Sequence, residues 1–182
     1  MKILLKLFVS LLVAMVLAVL IIAAVVPGEY ELERNIVVNR DITYVFNYIK
    51  HLKNQSNYSV WAKLDPDMKK AYRGEDGRKG FVYAWDSTKR HVGKGEQEIV
   101  RIEEGVSIET EVRFYKPFDS VNVSYMGTEK QAGGNTRVTW VFRGKMPYPF
   151  SIFLLFMNMD QEVGEDLQQG LVNLKTVLEA RS

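Results

Sequence analysis

Cysteine is absent from all 182 residues. That excludes disulfides, thiolate catalysis, zinc ribbons and iron–sulfur ligation. A lipoprotein anchor is excluded with them, because it needs a cysteine after an apolar run. Histidine is nearly absent as well. His51 and His91 are the only two, and neither has the spacing to other ligand-type residues that marks a metal site. No metal or other cofactor is expected. His51 falls at the end of an expected helix, where a cation favours the helix dipole. There is no Gly-x-Ser-x-Gly elbow, and Gly74-Glu-Asp-Gly77 reads as a turn and not a phosphate loop. Excess charge of one sign is also missing. The chain has 24 basic and 22 acidic residues, and no acidic residue precedes Glu29. With Lys2 and Lys6 set aside, the remainder carries 22 of each and is neutral. A neutral domain has no electrostatic grip on a polyanion, so nucleic acid is not an expected partner.

What the chain does have is a long apolar run. Leu7 to Val26 are twenty consecutive residues without charge, with Ser10 the only polar side chain. As a helix this run is about 30 Å long, enough to cross the hydrocarbon core of a bilayer. It exceeds the apolar region of roughly 7–15 residues in a signal peptide, and Ala23-Ala24-Val25-Val26-Pro27 offers no good small-x-small cleavage pair. Residues 1–26 are therefore expected to be an uncleaved transmembrane anchor in preference to a cleaved signal. Residues 27–29 form a short linker and 30–182 the domain. Lys2 and Lys6 precede the run, and Glu29, Glu31 and Glu33 follow it. The positive-inside rule then puts the N-terminus in the cytoplasm and the domain on the periplasmic or extracellular side.

Beyond the linker the periodicity changes several times. Tyr30 to Val38 reads as a strand. Asn39-Arg40-Asp41 supplies helix-capping residues, and Tyr44, Val45, Tyr48, Ile49 and Leu52 then recur at helical spacing. A second short helix is expected within Tyr58 to Leu64. Strands follow at Gly80 to Trp85, Glu96 to Ile102, Val106 to Phe114, Val121 to Tyr125 and around Val138 to Phe142, with turns and no helices between them. That order makes an antiparallel meander. Val163, Leu167, Leu171, Leu174 and Leu178 form one stripe down a terminal helix that ends near Ala180. The expected class is α+β: a curved antiparallel sheet of about seven strands wrapped around the long C-terminal helix. Two short helices follow the first strand, and one transmembrane helix precedes the whole.

Three stretches resemble the START-like, or SRPBCC, superfamily with its helix-grip fold, and in particular its polyketide cyclase/dehydrase-like branch. They are Ile36-Val-Val-Asn-Arg-Asp-Ile-Thr-Tyr-Val-Phe46, the middle from Gly93-Lys-Gly-Glu-Gln-Glu-Ile99 to Phe114, and Gly164-Glu-Asp-Leu-Gln-Gln-Gly-Leu-Val-Asn-Leu-Lys-Thr-Val-Leu-Glu179. All three are framework, so they bear on fold and not on activity. The resemblance implies a hydrophobic cavity between sheet and long helix. Trp61, Phe81, Tyr83, Trp85, Phe114, Tyr125, Trp140 and Phe142 are the aromatic residues expected to line it, joined by Phe156, Leu167 and Leu171. Plain core packing of the same aromatics is the alternative.

The expected function is a membrane-anchored domain that binds a hydrophobic small molecule or lipid without catalysis. One alternative is a cyclase- or dehydratase-like enzyme acting on a hydrophobic substrate in the same cavity, which needs a polar or ionisable group pointing inward. Asp86, Asp160 and Glu162 are the carboxylates nearest apolar segments, and they are expected to be solvated surface charges. Another alternative is an envelope interaction protein with a filled core. The uncharged run Phe150 to Met157 is expected to begin the terminal helix, buried against the sheet rim; a gate or membrane-facing patch is its alternative reading. Met146, Met157 and Met159 suit an adaptable pocket mouth.

Overall fold

The structure, a computed structural model, describes residues 2–117 and 119–180. Met1, Arg181 and Ser182, at the ends of the expected anchor and domain, lie outside the described residues. The apolar segment forms α1, Lys2–Val25. Its side chains are exposed almost throughout, although a helix that is apolar all round has no polar face to offer water and calls for apolar surroundings. Among the described residues it is the one helix long and apolar enough to cross a membrane.

β1 follows at Glu29–Val38, then α2 at Ile42–Ile49. Asp41 caps α2 by accepting the Thr43 N–H at 2.8 Å, and that hydrogen bond holds its carboxyl below the usual range. A 3₁₀ turn at Leu52–Asn57 and α3 at Val60–Leu64 complete the first crossover. Six strands then meander: β2 Lys69–Arg73, β3 Val82–Asp86, β4 Lys94–Glu103, β5 Ser107–Lys116, β6 Ser120–Lys130 and β7 Thr136–Lys145. Together with β1 they form one antiparallel sheet in the order β1-β7-β6-β5-β4-β3-β2. Register shifts between β4 and β5, at Lys94/Gly95 and Ile99/Arg101, add local twist that helps the sheet curl. β2 carries no apolar alternation in the sequence. Lys69-Lys-Ala-Tyr-Arg73 is an edge strand with four of five residues exposed, and charged edges discourage pairing with other chains.

The sheet curls around α4, Glu165–Ala180. Leu167, Leu171, Leu174 and Leu178 are completely buried, as their spacing required. The end of α4 is held by Arg40, whose guanidinium donates to the carbonyls of Leu178 and Glu179, both at 3.0 Å. A cation on the last carbonyls of a helix satisfies orphan acceptors and opposes the dipole.

Phe150 to Met157 does not begin the terminal helix and is not buried. It forms a separate 3₁₀ helix, Phe150–Leu155, with Phe150, Phe153, Leu155, Phe156 and Met157 all exposed. Pro147 and Pro149 lack the N–H groups that a continuous helix needs. The helical register restarts where the Asn158 side chain accepts the N–H groups of Asp160 and Gln161, in a π turn at Asp160–Gly164 that leads into α4.

Gly170 brings α4 close to the Trp140 ring of β7. A Cβ there would stand 2.9 Å from Cζ3 of Trp140, a ring fixed by its own hydrogen bond and by the edges of Tyr58 and Trp61. Helix propensity alone favours Gly→Ala by about 1 kcal/mol, whereas overpacking costs about 1–3 kcal/mol. Gly170→Ala is expected to lower stability by up to about 2 kcal/mol in thermal melting. A rise would mean that the Trp140 ring has room to yield.

Candidate functional site

Curvature leaves a cavity of about 940 Å³ between the concave face of the sheet, α3, the start of α4 and the segment 146–157. Its size is near the top of the range of about 300–1,000 Å³ for small-molecule pockets. Trp61, Tyr83, Trp85, Phe114, Trp140, Phe142 and Leu167 from the expected set all line it. Four others do not. Phe81 sits in the core, stacked on Tyr72 with centroids 6.2 Å apart. Leu171 is fully buried one turn further along α4. Phe156 points away from the cavity and is 81% exposed.

Tyr125 reveals a reversed alternation on β6. It lies opposite Glu109 and Val141, while Ser124 and Met126 lie opposite Thr110 and Trp140. Met126 and Trp140 are core residues, so their register turns Tyr125 outward. The same register turns Ser120, Asn122 and Ser124 into the cavity. The apolar residues of β6 thus occupy its outer face at this end, and its polar ones face a ligand-sized space.

Those residues belong to a neutral, hydrogen-bonded strip. Gln97 Nε2 donates to Thr110 Oγ1 at 2.7 Å, and Thr110 Oγ1 donates to the Ser124 carbonyl at 3.2 Å. Trp140 Nε1 donates to Ser124 Oγ at 2.9 Å. Asn122 Nδ2 donates to Ser120 Oγ at 3.1 Å. Gln97 was detectable in the sequence only by counting two residues back from Ile99 along β4, since Glu96 and Glu98 flank it.

Tyr83 differs from the rest. It lines the cavity, is only 6% exposed, and its hydroxyl has no hydrogen-bond partner among the described residues. Burial pushes its phenol well above the ordinary tyrosine range. Trp85 next to it donates from Nε1 to the Val92 carbonyl at 3.2 Å and meets Phe114 edge to face at 5.6 Å, which fixes the loop over that side of the cavity. Gly95 makes room for this ring, since a Cβ there would stand 2.7 Å from Trp85 Cζ2.

The charged lining groups, Asp119 and Lys145, and the His91 imidazole are exposed at the rim. Asp86, Asp160 and Glu162 do not line the cavity. Asp86 pairs with Lys94 at 2.8 Å, and that hydrogen bond lowers its carboxyl below the usual range. Asp160 pairs with Arg34, and Glu162 is exposed. His51 stands 3.7 Å from Asp76, and no group of three His, Asp or Glu among the described residues is placed to hold a metal. Met146 and Met157 line the mouth, whereas Met159 packs against the core and a neighbouring groove.

A curved antiparallel sheet gripping a C-terminal helix, with a cavity between them, is the helix-grip fold of START-like (SRPBCC) proteins. The chain belongs to the polyketide cyclase / dehydrase and lipid transport family, whose sequence profile matches residues 30–179. None of the curated proteins matches it in sequence. Norcoclaurine synthase from Thalictrum flavum, solved in complex with dopamine and hydroxybenzaldehyde, superposes with a TM-score of 0.63 at 9% identity, over 89% of this chain and 93% of that one. A protein from Nitrosospira multiformis gives 0.60 at 16% identity over 84% and 100%. Protein Ms6760 from Mycobacterium smegmatis gives 0.54 at 18% over 84% and 92%. At these identities the likeness is one of fold alone.

An unpartnered buried hydroxyl is a penalty in the empty protein, of about 1–3 kcal/mol. Tyr83→Phe is therefore expected to raise the melting temperature of the empty protein or leave it unchanged. A loss above about 1 kcal/mol in calorimetry would show that the hydroxyl has a partner worth keeping.

Proposed function

We propose that this protein binds a hydrophobic small molecule or lipid in the cavity without catalysing a reaction. Residues 1–26 hold it to the cytoplasmic membrane as a single-pass anchor, 27–29 link, and the domain 30–182 lies on the outer side. The observation that carries the reading is the cavity itself: about 940 Å³ with a largely aromatic and aliphatic wall. A space of that size speaks against the reading as an interaction protein with a filled core. The family description includes lipid transport. α1 and its flanking charges, Lys2 and Lys6 before and Glu29, Glu31 and Glu33 after, support the anchor and its orientation.

The interior polar groups favour binding over catalysis. Gln97, Asn122 and Ser124 are amides and a hydroxyl that remain neutral, and the charged groups sit at the wet rim. Tyr83, with its phenol held neutral, donates a hydrogen bond to a carbonyl or hydroxyl oxygen and does not serve as a base near neutral pH. The ligand this lining fits is apolar along most of its length, with one hydrogen-bonding oxygen. A cyclase- or dehydratase-like enzyme is the second reading, and Tyr83 is the one interior group that favours it, as a donor polarising a substrate carbonyl.

Native mass spectrometry of the full chain, released from detergent after gentle purification and incubation with oleic acid, tests the binding reading. A bound fatty acid or co-purified lipid is expected, lost on denaturation. Trp85→Ala, or Val112→Trp built into the cavity, should weaken retention by about tenfold, equivalent to about 1.4 kcal/mol. Full retention by both variants, or an empty wild-type protein under all conditions, would remove the cavity from the function.

A further inference from the structure

A second concavity lies outside the cavity, in contact with the end of α1. It is a groove of about 360 Å³ whose lining is aliphatic and aromatic, with Pro27, Tyr30, Leu154, Leu155 and Met157 in it, apart from Glu29 and Asn158. Tyr30 and Met157 line the groove and the internal cavity alike. These two side chains are therefore the partition between an apolar surface channel at the base of the anchor and the interior of the domain. Phe150 and Phe153, which also line the cavity, are about half exposed on the outside, at 47% and 50%.

The position of this wall relative to α1 is fixed by a hydrogen bond. Ser151 Oγ donates to the Ala23 carbonyl at 2.8 Å. Ala23 lies three residues before the end of the apolar run, about 5 Å inside it along the helix axis. Met146 N–H donates to the Gly28 carbonyl at 2.8 Å, which ties the start of the same segment to the linker. With α1 across a bilayer, the 3₁₀ helix 150–155 sits at the boundary of hydrocarbon and headgroups, the depth at which interfacial apolar segments bury. Its composition fits that depth. From Met146 to Met159 there is no charged residue, and Tyr148, Phe150, Phe153, Leu155 and Phe156 are exposed together. A patch of this kind on a domain tethered at its foot to an apolar helix has the bilayer as its continuous neighbour.

We propose that the segment 146–157 is seated in the membrane and that the cavity takes its ligand directly from it. A lipid acyl chain enters the groove between Pro27 and Leu155, passes Tyr30 and Met157, and reaches the aromatic lining without crossing water. This rests on the anchored-binding reading above and adds the source and route of the ligand. Met157, unbranched and half-exposed, is the side chain that swings. Tyr30 is held between Phe142, at 6.4 Å, and the groove.

The three tryptophans of the chain, Trp61, Trp85 and Trp140, all line the cavity, so their fluorescence reports what enters it. The full chain is reconstituted in nanodiscs of phosphatidylcholine, with and without bromine on the acyl chains, which quenches tryptophan on contact. Strong quenching by the brominated lipid is expected. The variant Tyr148→Glu/Phe156→Glu changes two exposed residues that line neither the cavity nor the groove and should lose most of that quenching, while still carrying oleic acid in native mass spectrometry from detergent. Unquenched wild-type protein that nonetheless binds oleic acid in detergent would overturn the membrane route and leave the binding reading standing. A double variant quenched as fully as wild type would also overturn the route. Failure of both quenching and oleic acid binding would remove the binding reading itself.

Discussion

A single helix cannot cover a seven-stranded sheet, and the rest of this structure follows from that mismatch. Strands about 4.8 Å apart give seven of them a width near 29 Å, whereas a helix with its side chains measures about 10–12 Å across. α4 packs chiefly on β1, with lesser contact to β7 and α3, and its four leucines are fully buried there. The remaining concave face, over β3 to β6, must be closed by something else. α3 and the segment 146–157 roof it without filling it, and the space between is the cavity.

The chemistry inside follows from how that face is composed. Toward β3 and the 87–93 loop the wall is aromatic, with the Trp85 ring in contact with both Tyr83 and Phe114. Along the floor, Gln97, Thr110 and Ser124 satisfy one another in a chain that ends on the Trp140 indole. A satisfied polar chain of this kind costs little in the empty protein. Tyr83 is the exception, and an isolated donor facing a cavity of this size is what a ligand oxygen needs. The apolar helix α1 meets this cavity from outside. Its last turn is bonded to the segment that walls the cavity, so the end of the apolar helix and the cavity wall meet at one place.

Much of the fold was legible in the sequence because it rests on local periodicity. The α4 leucine stripe, the α2 face after its Asp41 cap, the alternating strands and the uncharged run of α1 each announce themselves within a window of ten to twenty residues. β2 did not, because an exposed, charged edge strand has no apolar face to alternate. Of the expected cavity residues, those on β3, β5 and β7 that do line it, such as Trp85, Phe114 and Phe142, could be assigned because the apolar side of those strands is the concave side. Tyr125 on β6 broke that assumption. The alternation along β6 is regular, but a strand's pattern does not say which of its two faces is turned in.

Local pattern along the chain accounts for α1 to α4 and every strand but β2, for the leucine face of α4, for the balanced charge beyond Lys6 and for an apolar segment of membrane-spanning length, since each depends on neighbours in sequence. Tertiary packing settles that Ser120, Asn122 and Ser124 face inward and that the Tyr83 hydroxyl finds no partner among the described residues. It also settles that Phe150 to Met157 lies exposed against the end of α1. These depend on register and on contacts between residues more than a hundred positions apart, such as Ala23 with Ser151, and no local pattern records which distant surface a segment will meet.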